Sequence, residues 1–489
     1  MKAEKQPLFE SVSENLNVIK SHFGESQDIK LREVIINGRK ALFALCDGMV
    51  NSLQLAQLVV DPIMRSEIRT KSALEQYQYI RDCVSNAVEQ SEAQTFEDIE
   101  YYMMSGFVVF LLDGVNSALV MGIQGWAKRG IDEPSNEAMA IGAKEGFIES
   151  LNDNVALVRK RLKTNDLTFD MLKLGEESTT GVSVCYLKSK ADKKIVEEVK
   201  RRLQSIPVQT VIDFGCLQPY LDTDRVSLFS GVGNTERPDT LAAKLLDGRV
   251  GVMVDGTPFV MIVPYLFSEN FQSLDDYDSR PFYATFIRLL KYFSFILSIL
   301  LPGLYVAVGT FHQELLPSNL LFNVAVAEMR TPFSLMVEAI IIFTMYEIMR
   351  EAGLRLPKSI GHAVSIIGAI VIGEATVSAG LIGAPMLIVV ALTAISSYVV
   401  YPLYEPVAIL RLIFIILGGV LGIYGIMVCT ALLMINLASI DCYGIPYTAP
   451  IAPFDKKAME DTFVRVGWKT LNKHRFLIQK MRGVSVDKR

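Results

Sequence analysis

The sequence predicts an α/β N-terminal region, divided into two subdomains, followed by an α-helical polytopic membrane domain. The first observation is composition: of 489 residues, 51% are hydrophobic and 21% are charged, a mixture typical of a soluble part joined to a membrane part. The second is a series of short apolar runs that stop at Asp-Gly pairs, and the third is a series of long uncharged segments in the second half. We expect a cytoplasmic α/β domain at 1–280, a membrane domain with four or five helical spans at 281–454, and a basic cytoplasmic tail at 455–489.

The charge distribution argues against nucleic acid as a partner. The chain has a formal net charge of −5, with the excess acid in its N-terminal half, whereas nucleic-acid binding needs a basic surface. The basic tail suits the positive-inside bias of membrane proteins or an anionic cytoplasmic leaflet. The N-terminal residues show no apolar signal segment, so we expect the first domain to stay in the cytoplasm.

No motif in the sequence indicates an enzyme. The six cysteines form no CxxC pair, which favours neither a zinc site nor a disulfide framework. Walker, HExxH and GxSxG motifs do not occur, and the four histidines lie far apart in sequence. We therefore expect no catalytic site, no metal and no cofactor.

A β-hairpin is predicted close to the N-terminus, after a short helix at residues 8–23. Two apolar runs, at 29–36 and 41–46, flank Asn37-Gly38, with Arg39-Lys40 opening the second strand. Asn-Gly is the strongest two-residue hairpin signal, because both central positions of a type I′ turn need positive φ.

Asp-Gly pairs end three apolar runs, at Asp47-Gly48, Asp113-Gly114 and Asp255-Gly256. We assign these aspartates to turns rather than to metal binding, because Asp-Gly is turn chemistry. Their recurrence predicts repeated β-turn-β units in two related subdomains.

Helices are predicted between these strands at 51–91 and 136–163. The second contains a basic cluster that we interpret as a solvated helix face, formed by Arg159, Lys160, Arg161 and Lys163. A polar, acidic joint at 268–285 is expected to separate the two halves of the chain.

The membrane half contains several segments of spanning length. They are Tyr292–Phe311, Thr331–Ile348, Ser359–Gly380, a segment from about Met386, and the uncharged stretch Leu412–Ile440. Five simple spans would put the basic tail outside. An even number, with one segment broken or re-entrant, keeps both ends inside, and we favour that topology.

Ionisable residues inside these segments are functional candidates, because they are costly in a membrane. Glu338, Glu347 and Glu374 qualify. For Glu347 the alternative is an ion pair with Arg350 or Arg355. For Glu338 a buried hydrogen bond to a neighbouring helix and a role in an ion pathway are equally supported.

The segment Ser359–Gly380 carries one stripe of small, hydroxyl or polar residues at helical spacing, formed by His362, Ser365, Ala369, Gly373 and Thr376. Such a stripe suits the wall of a pore. It equally suits close packing of helices, and the residues alone do not separate the two. At an ideal helical period of about 3.6 residues, Glu374 lies about 120° away from His362 on this stripe, so we expect Glu374 to contact a neighbouring helix.

Long stretches of the chain resemble one known family, the A subunit of GerA-type spore germination receptors. In the second half these are RLLKYFSFILSILLPGLYVAV, EIMREAGLRLPKSIGHAVSIIGAIVIGEATVSAG, MLIVVALTAISSYVV and YGIPYTAPIAPF. In the first half they are DEPSNEAMAIGAKEGFIESLNDNVALVRKRLK, ESTTGVSVCYL and DGTPFVMIVP. The resemblance covers residues 10 to 455.

The resemblance implies a nutrient germinant receptor subunit in the spore inner membrane, with the N-terminal domain on the cytoplasmic (spore core) side. It implies a transporter-like B subunit and a lipoprotein C subunit as partners, and a homo-oligomeric, ligand-gated ion channel embedded in membrane lipid. It shifts the balance for the small-residue stripe towards pore lining, with Ile366 added, and it makes Pro332 a candidate coupling residue. A secondary transporter subunit and a non-conducting scaffold are the alternatives.

Overall fold

The computed structural model describes residues 6–24, 26–66, 72–84, 89–125, 134, 137, 139, 142–224, 227–356, 373–471 and 477–484. Two α/β subdomains occupy the N-terminal part, and long apolar helices follow them. The predicted fold class is confirmed.

The first subdomain contains an antiparallel sheet between two helical layers. Its elements are α1 (Val12–Phe23), β1 (Ile29–Ile36), β2 (Arg39–Cys46), β3 (Glu89–Ala93), α2 (Phe96–Met103), β4 (Val108–Leu112) and β5 (Ala118–Gly122). The strand order is β1-β2-β4-β5-β3. Helices α1 and α2 cover one face, and helical turns within 52–65 and 73–84 cover the other. Strand β4 is therefore buried on both sides and is apolar throughout.

The second subdomain has the same arrangement. Its elements are α3 (Leu151–Arg161), β6 (Leu167–Leu174), β7 (Thr180–Leu187), α4 (Lys193–Gln204), β8 (Gly233–Thr235), α5 (Pro238–Leu246), β9 (Val250–Val254) and β10 (Val260–Val263). Its strand order, β6-β7-β9-β10-β8, matches that of the first sheet position by position. The two subdomains are a structural repeat, as the recurring Asp-Gly turns predicted.

The predicted hairpin at Asn37-Gly38 is confirmed. Strands β1 and β2 pair antiparallel. Ile36 lies opposite Arg39 next to the turn, and the pairing continues from there to Ile29 opposite Cys46. Asn37 has φ 46° and Gly38 has φ 80°, as a type I′ turn requires.

The aspartates of two Asp-Gly turns each bind the start of a helix. In the first subdomain, Oδ1 of Asp113 accepts the backbone N–H of Val12 at 3.1 Å. In the second, Oδ1 of Asp255 accepts the backbone N–H of Leu151 at 3.0 Å. Each carboxylate satisfies an N–H group that the first turn of a helix leaves unpaired. The two turns therefore have one structural role, repeated.

A second repeated contact joins the first turn of each of these helices to a residue that precedes the helix. The side chain of Asn15 accepts from Phe9 N–H and donates to its carbonyl, and Asn154 does the same with Ile148. In sequence these asparagines end the strings ESVSEN and ESLNDN. This shared E-S-x-x-x-N pattern is visible in the sequence but was not among our predictions.

A buried ion pair joins the two subdomains. Nη2 of Arg159, on α3, lies 2.6 Å from Oδ2 of Asp28, which precedes β1. Both side chains are inaccessible to solvent or nearly so, and the guanidinium also lies over the ring of Phe169. The prediction of a solvated basic face was wrong for Arg159, because its carboxylate partner is 131 residues away in sequence.

Two predicted helices are shorter than expected. Within the stretch 51–91, predicted as helical, the described residues form helical turns within 52–65 and 73–84 and then strand β3, because residues 89–93 pair with β5. Strand pairing overrides local propensity here. In the segment predicted as helix at 136–163, the helix begins only at Leu151.

The C-terminal half is a set of long apolar helices. They are α6 (Pro281–Phe311), α7 (Ser318–Glu328), α8 (Leu335–Arg355), α9 (Ala384–Val399) and α10 (Tyr404–Ser439). Helix α6 begins earlier than the predicted Tyr292, with Pro281 at its first position, where proline is favoured. Residues 373–378 are helical and precede α9.

Helix α10 folds back on itself at Gly422. That residue has φ 62° and ψ −148°, outside the helical region. A Cβ atom built on Gly425 would lie 2.3 Å from the carbonyl oxygen of Leu417, eight residues earlier. In a straight helix, eight residues rise about 12 Å. Helix α10 is therefore two arms, 404–421 and 423–439, that turn sharply at one glycine.

The chain returns to the second subdomain after α10. A two-stranded ladder forms between 441–442 and 445–446. The hydroxyl of Tyr443 donates to the carbonyl of Leu221 at 2.6 Å, and the N–H of Ile478 donates to the carbonyl of Asp247 at 3.0 Å. The end of the helical region is thus attached to the same subdomain from which α6 departs.

Candidate functional site

Glu347 lies in an ion-pair cluster between α8 and α10. Its Oε1 is 2.6 Å from Nη2 of Arg411, and its Oε2 is 3.0 Å from Nε of Arg350. The hydroxyl of Tyr404 donates to the same carboxylate, and the guanidinium of Arg350 lies 3.8 Å from the centre of the Tyr404 ring. Arg355 pairs with Glu351 instead.

Arg411 is the functional candidate that the sequence analysis missed. It is almost fully buried, and its guanidinium lies 4.6 Å from the centre of the Phe343 ring. The available signal was a single arginine between two long uncharged stretches. A buried cation at such a position requires a carboxylate partner, and Glu347 is that partner.

Glu338 is fully buried near the start of α8. Its Oε1 accepts the backbone N–H of Gly383, the residue before α9, at 2.5 Å. Its other oxygen is buried with no hydrogen-bond partner among the described residues. Glu328, at the end of α7, lies within hydrogen-bonding reach. Two carboxyl groups therefore meet between α7 and α8.

The described end of the small-residue stripe faces the protein interior. Gly373 and Thr376 are buried, and a Cβ atom on Gly373 would lie 3.5 Å from the side chain of Leu387 on α9. Thr376 donates to the carbonyl of Gly373 at 3.0 Å. Glu374 is exposed on the opposite side of this segment. The monomer thus presents the acid outward and the small residues inward.

The remaining predicted site residues are Pro332 and the first part of the small-residue stripe. Pro332 is exposed in the turn between α7 and α8. Four of the predicted pore-lining residues lie outside the described residues: His362, Ser365, Ile366 and Ala369.

A buried cluster connects α6 to the rest of the chain. Arg288 is inaccessible to solvent; its Nε lies 2.7 Å from Asp276 and its Nη1 lies 2.7 Å from Asp461. The hydroxyl of Tyr277 also donates to Asp461, and burial together with that carboxylate raises the pKa of Tyr277 well above its usual range. Nζ of Lys291 lies 3.5 Å from Oδ1 of Asp276 and adds a second cation to this carboxylate. The joint predicted at 268–285 is therefore a structured, charged connection.

Two described helical segments are long and apolar enough to cross a membrane. They are Pro281–Phe311 and Tyr401–Ser439, the segment that includes α10. Helix α9 is apolar but has 16 residues. Among the described residues, no three His, Cys, Asp or Glu side chains are grouped so that they could hold a metal ion.

The chain is similar to known spore proteins along almost its whole length. The family described as Bacillus/Clostridium GerA spore germination protein matches residues 17–476. "Spore germination protein KA" of Bacillus subtilis (strain 168) is 35% identical over 465 residues, which is 94% of this chain and 85% of that protein. "Uncharacterized membrane protein YfkQ" of the same organism is 36% identical over 474 residues, 96% of this chain and 92% of that protein.

One solved structure is also similar to part of the chain. It is the crystal structure of the N-terminal domain of the A subunit of the Bacillus megaterium spore germinant receptor GerK3, with 30% sequence identity and a TM-score of 0.43. The match covers 54% of this chain and 98% of the crystallised one. From the extent of the family match, the chain belongs to the GerA spore germination protein family.

Proposed function

We propose that this chain is the A-type subunit of a nutrient germinant receptor and forms an oligomeric ion-conducting channel that opens when a partner subunit senses germinant. The relatives named as spore germination proteins support a role in germination. In this proposal a transporter-like B subunit senses the nutrient, a lipoprotein C subunit completes the complex, and several copies of this chain conduct ions.

The observation that carries the channel proposal is the position of Glu374. It is exposed at the edge of an otherwise apolar helical region, whereas Gly373 and Thr376 beside it are buried. An ionisable side chain that faces lipid is costly, so such residues face protein or a water-filled path. A second copy of the chain provides that environment, and this supports an assembly of several copies.

The proposed arrangement in the membrane follows from the charges and connections. Residues 1–280 form the cytoplasmic, spore-core domain, 281–454 form the domain in the spore inner membrane, and 455–489 form a basic segment on the cytoplasmic side. The reversal at Gly422 supports this topology, because it gives the helical region an extra crossing. The contacts of Ile478 with the second subdomain also support it.

The pore is proposed to run along the segment that carries His362, Ser365, Ile366, Ala369, Gly373 and Thr376. Because Gly373 and Thr376 are buried in one copy, this segment would have to rotate or separate from α9 to present them to the pore. We therefore propose that the stripe is covered in the closed state and lines the pore in the open state.

A secondary transporter is the second candidate, on one specific observation. Transporters build substrate sites from helices that are interrupted in the membrane, and α10 is interrupted at Gly422. In that case the path of the transported substrate would be lined by residues around Gly422 rather than by the small-residue stripe.

The test is conductance of the purified receptor complex in planar bilayers. A channel gives germinant-dependent single-channel steps without a substrate gradient, and Ile366→Ala gives steps in the absence of germinant. Ala369→Leu should reduce conductance, whereas Ala375→Leu, the same change at an exposed neighbouring position, should not. Uptake coupled to a gradient without single-channel steps would favour the transporter. If the complex assembles but neither conducts ions nor transports a substrate, a non-conducting scaffold is the function that remains.

A further inference from the structure

Two carboxyl groups meet in a buried site that the channel proposal does not use. Glu338 on α8 is fully buried, and Glu328 ends α7. The two side chains are within hydrogen-bonding reach of each other. A Cβ atom built on Gly383 would lie 3.4 Å from Oε1 of each glutamate. Three elements therefore converge here: the end of α7, the first turn of α8 and the residue before α9.

The polar atoms of this site are incompletely satisfied. Oε1 of Glu338 accepts the N–H of Gly383, but Oε2 of Glu338 and Oε1 of Glu328 are buried and have no donor among the described residues. The hydroxyl of Tyr305, on α6, is also buried without a partner and lies close enough to interact with both carboxyl groups. Buried polar atoms in native proteins are almost always hydrogen-bonded, so these oxygens require a hydrogen-bond donor.

In the described part of the chain, no cation balances the two carboxyl groups. Among the residues that the structure describes, no lysine, arginine or histidine forms an ion pair with Glu328 or Glu338. The groups that face the pair are the phenol of Tyr305 from α6 and the backbone N–H of Gly383 before α9. Glu338 is fully buried and Oε1 of Glu328 is buried beside it. Two carboxylates so placed repel each other, and the usual resolution is that they share a proton.

We propose that Glu328 and Glu338 form a proton-binding site, in which one proton is held in a carboxyl–carboxylate hydrogen bond between α7 and α8. The shared proton supplies the missing donor and removes one of the two negative charges. Its ligand is a proton rather than a metal ion.

The site attaches α7 to the rest of the protein. Of the residues in α7 only Val324 is buried, whereas Phe322 is 69% exposed and Leu320 is 46% exposed. The hydrogen bond at Glu328 is thus a large part of what holds this helix. When the proton leaves, two charges repel across the contact, and α7 separates from the start of α9.

The experiment uses the full-length protein in lipid nanodiscs, followed by infrared spectroscopy during a pH titration. We expect the carbonyl stretching band of a protonated carboxyl group at neutral pH, its loss at alkaline pH, and its absence in the double variant Glu328→Gln/Glu338→Gln. Glu351→Gln, which removes an exposed acid paired with Arg355, should retain the band. Absence of the band in the wild-type protein, or its persistence in the double variant, would overturn the proposal.

Hydrogen exchange of residues 318–328 gives a second readout. In the wild-type protein, protection of α7 should fall as pH rises, after correction for the intrinsic exchange rate. In Glu328→Gln the amide N–H donates permanently to Glu338, so protection should persist at alkaline pH. Equal pH dependence in the two proteins would contradict the proposal. An infrared spectrum that changes when Na⁺ replaces K⁺ would contradict it too, because a metal ion would then occupy the site.

These readouts do not depend on ion conduction. If the complex does not conduct ions, the proposal of a proton site is unaffected. If the infrared band is absent, the channel proposal is unaffected.

Discussion

The guanidinium of Arg288 donates to both the side-chain Oδ1 and the backbone carbonyl of Asp461, at 2.7 and 2.8 Å, across 173 residues of sequence. Arg288 lies in the third turn of α6, and Asp461 lies in the segment that follows the helical region. Asp276 accepts from the same guanidinium. The start of the helical region and the segment after its end are therefore held by one cation.

Replacing Arg288 by Met should destabilise the protein strongly. The substitution leaves Asp461 without its cation and Asp276 with Lys291 alone, and breaking a buried ion pair costs about 3–5 kcal/mol. We expect a lower midpoint of thermal unfolding for the detergent-solubilised protein. Arg280→Met, at the exposed residue before α6, is the control and should change the midpoint little. Equal effects of the two substitutions would mean that the cluster has no special role.

The pair Arg159–Asp28 should couple the stability of the two subdomains. Asp28→Asn and Arg159→Met each leave one buried partner unpaired, so each should lower the free energy of unfolding by roughly 3–5 kcal/mol. The double variant should lose less free energy of unfolding than the two single variants lose together, since neither charged partner is left alone. Lys163→Met, at an exposed position nearby, is the control. Strict additivity in denaturant unfolding would contradict a direct coupling.

Gly422 should tolerate no side chain. Its φ of 62° is in the left-handed region, which costs other residues about 1–2 kcal/mol. A Cβ atom there would also lie 3.1 Å from Nε2 of His312 and 3.2 Å from the ring of Phe311. Gly422→Val should therefore lower the thermal midpoint more than Gly215→Val, where a Cβ atom would meet nothing within 4 Å. An unchanged midpoint would show that the reversal does not require glycine.

Glu269 should contribute an acid-sensitive part of the stability. Burial raises the pKa of this carboxyl, but Arg249 at 2.7 Å and Lys244 outweigh burial, and the net pKa is below the usual 4.5. A lowered pKa stabilises the folded state above pH 4.5, and that contribution is lost as the pH falls through the folded-state value.

Glu269→Gln is the corresponding variant. It should have a lower free energy of unfolding at neutral pH and a weaker dependence on pH below 4.5, the ordinary pKa of a glutamate. The measurement is denaturant unfolding at a series of pH values. If the wild-type protein and the variant lose stability in parallel on acidification, Glu269 is not the titrating group.

Local features of the fold were predictable because their causes are local. The hairpin at Asn37-Gly38 follows from two adjacent residues that accept positive φ, and the position of its turn was predicted to the residue. The Asp-Gly turns and the division into α/β and apolar helical parts followed for the same reason. Strand β3 was not predicted, because its polar sequence becomes a strand only by pairing with β5.

The candidate site was predictable in part. Ionisable residues within apolar segments identified Glu338 and Glu347 from the sequence alone. Their partners were not predictable: Arg411 is 64 residues from Glu347, and the N–H of Gly383 is 45 residues from Glu338. No periodicity relates such positions.

The sequence by itself determined the fold class, the membership of a family and which residues are costly to bury, because composition, turn chemistry and long shared motifs are properties of the chain. The tertiary structure alone decided that Arg159 and Arg288 are buried cations, that α10 folds back at Gly422 and that Glu328 meets Glu338. Each of these depends on which distant segments are brought together, and a charge is stabilised in the interior only by the partner that the fold supplies.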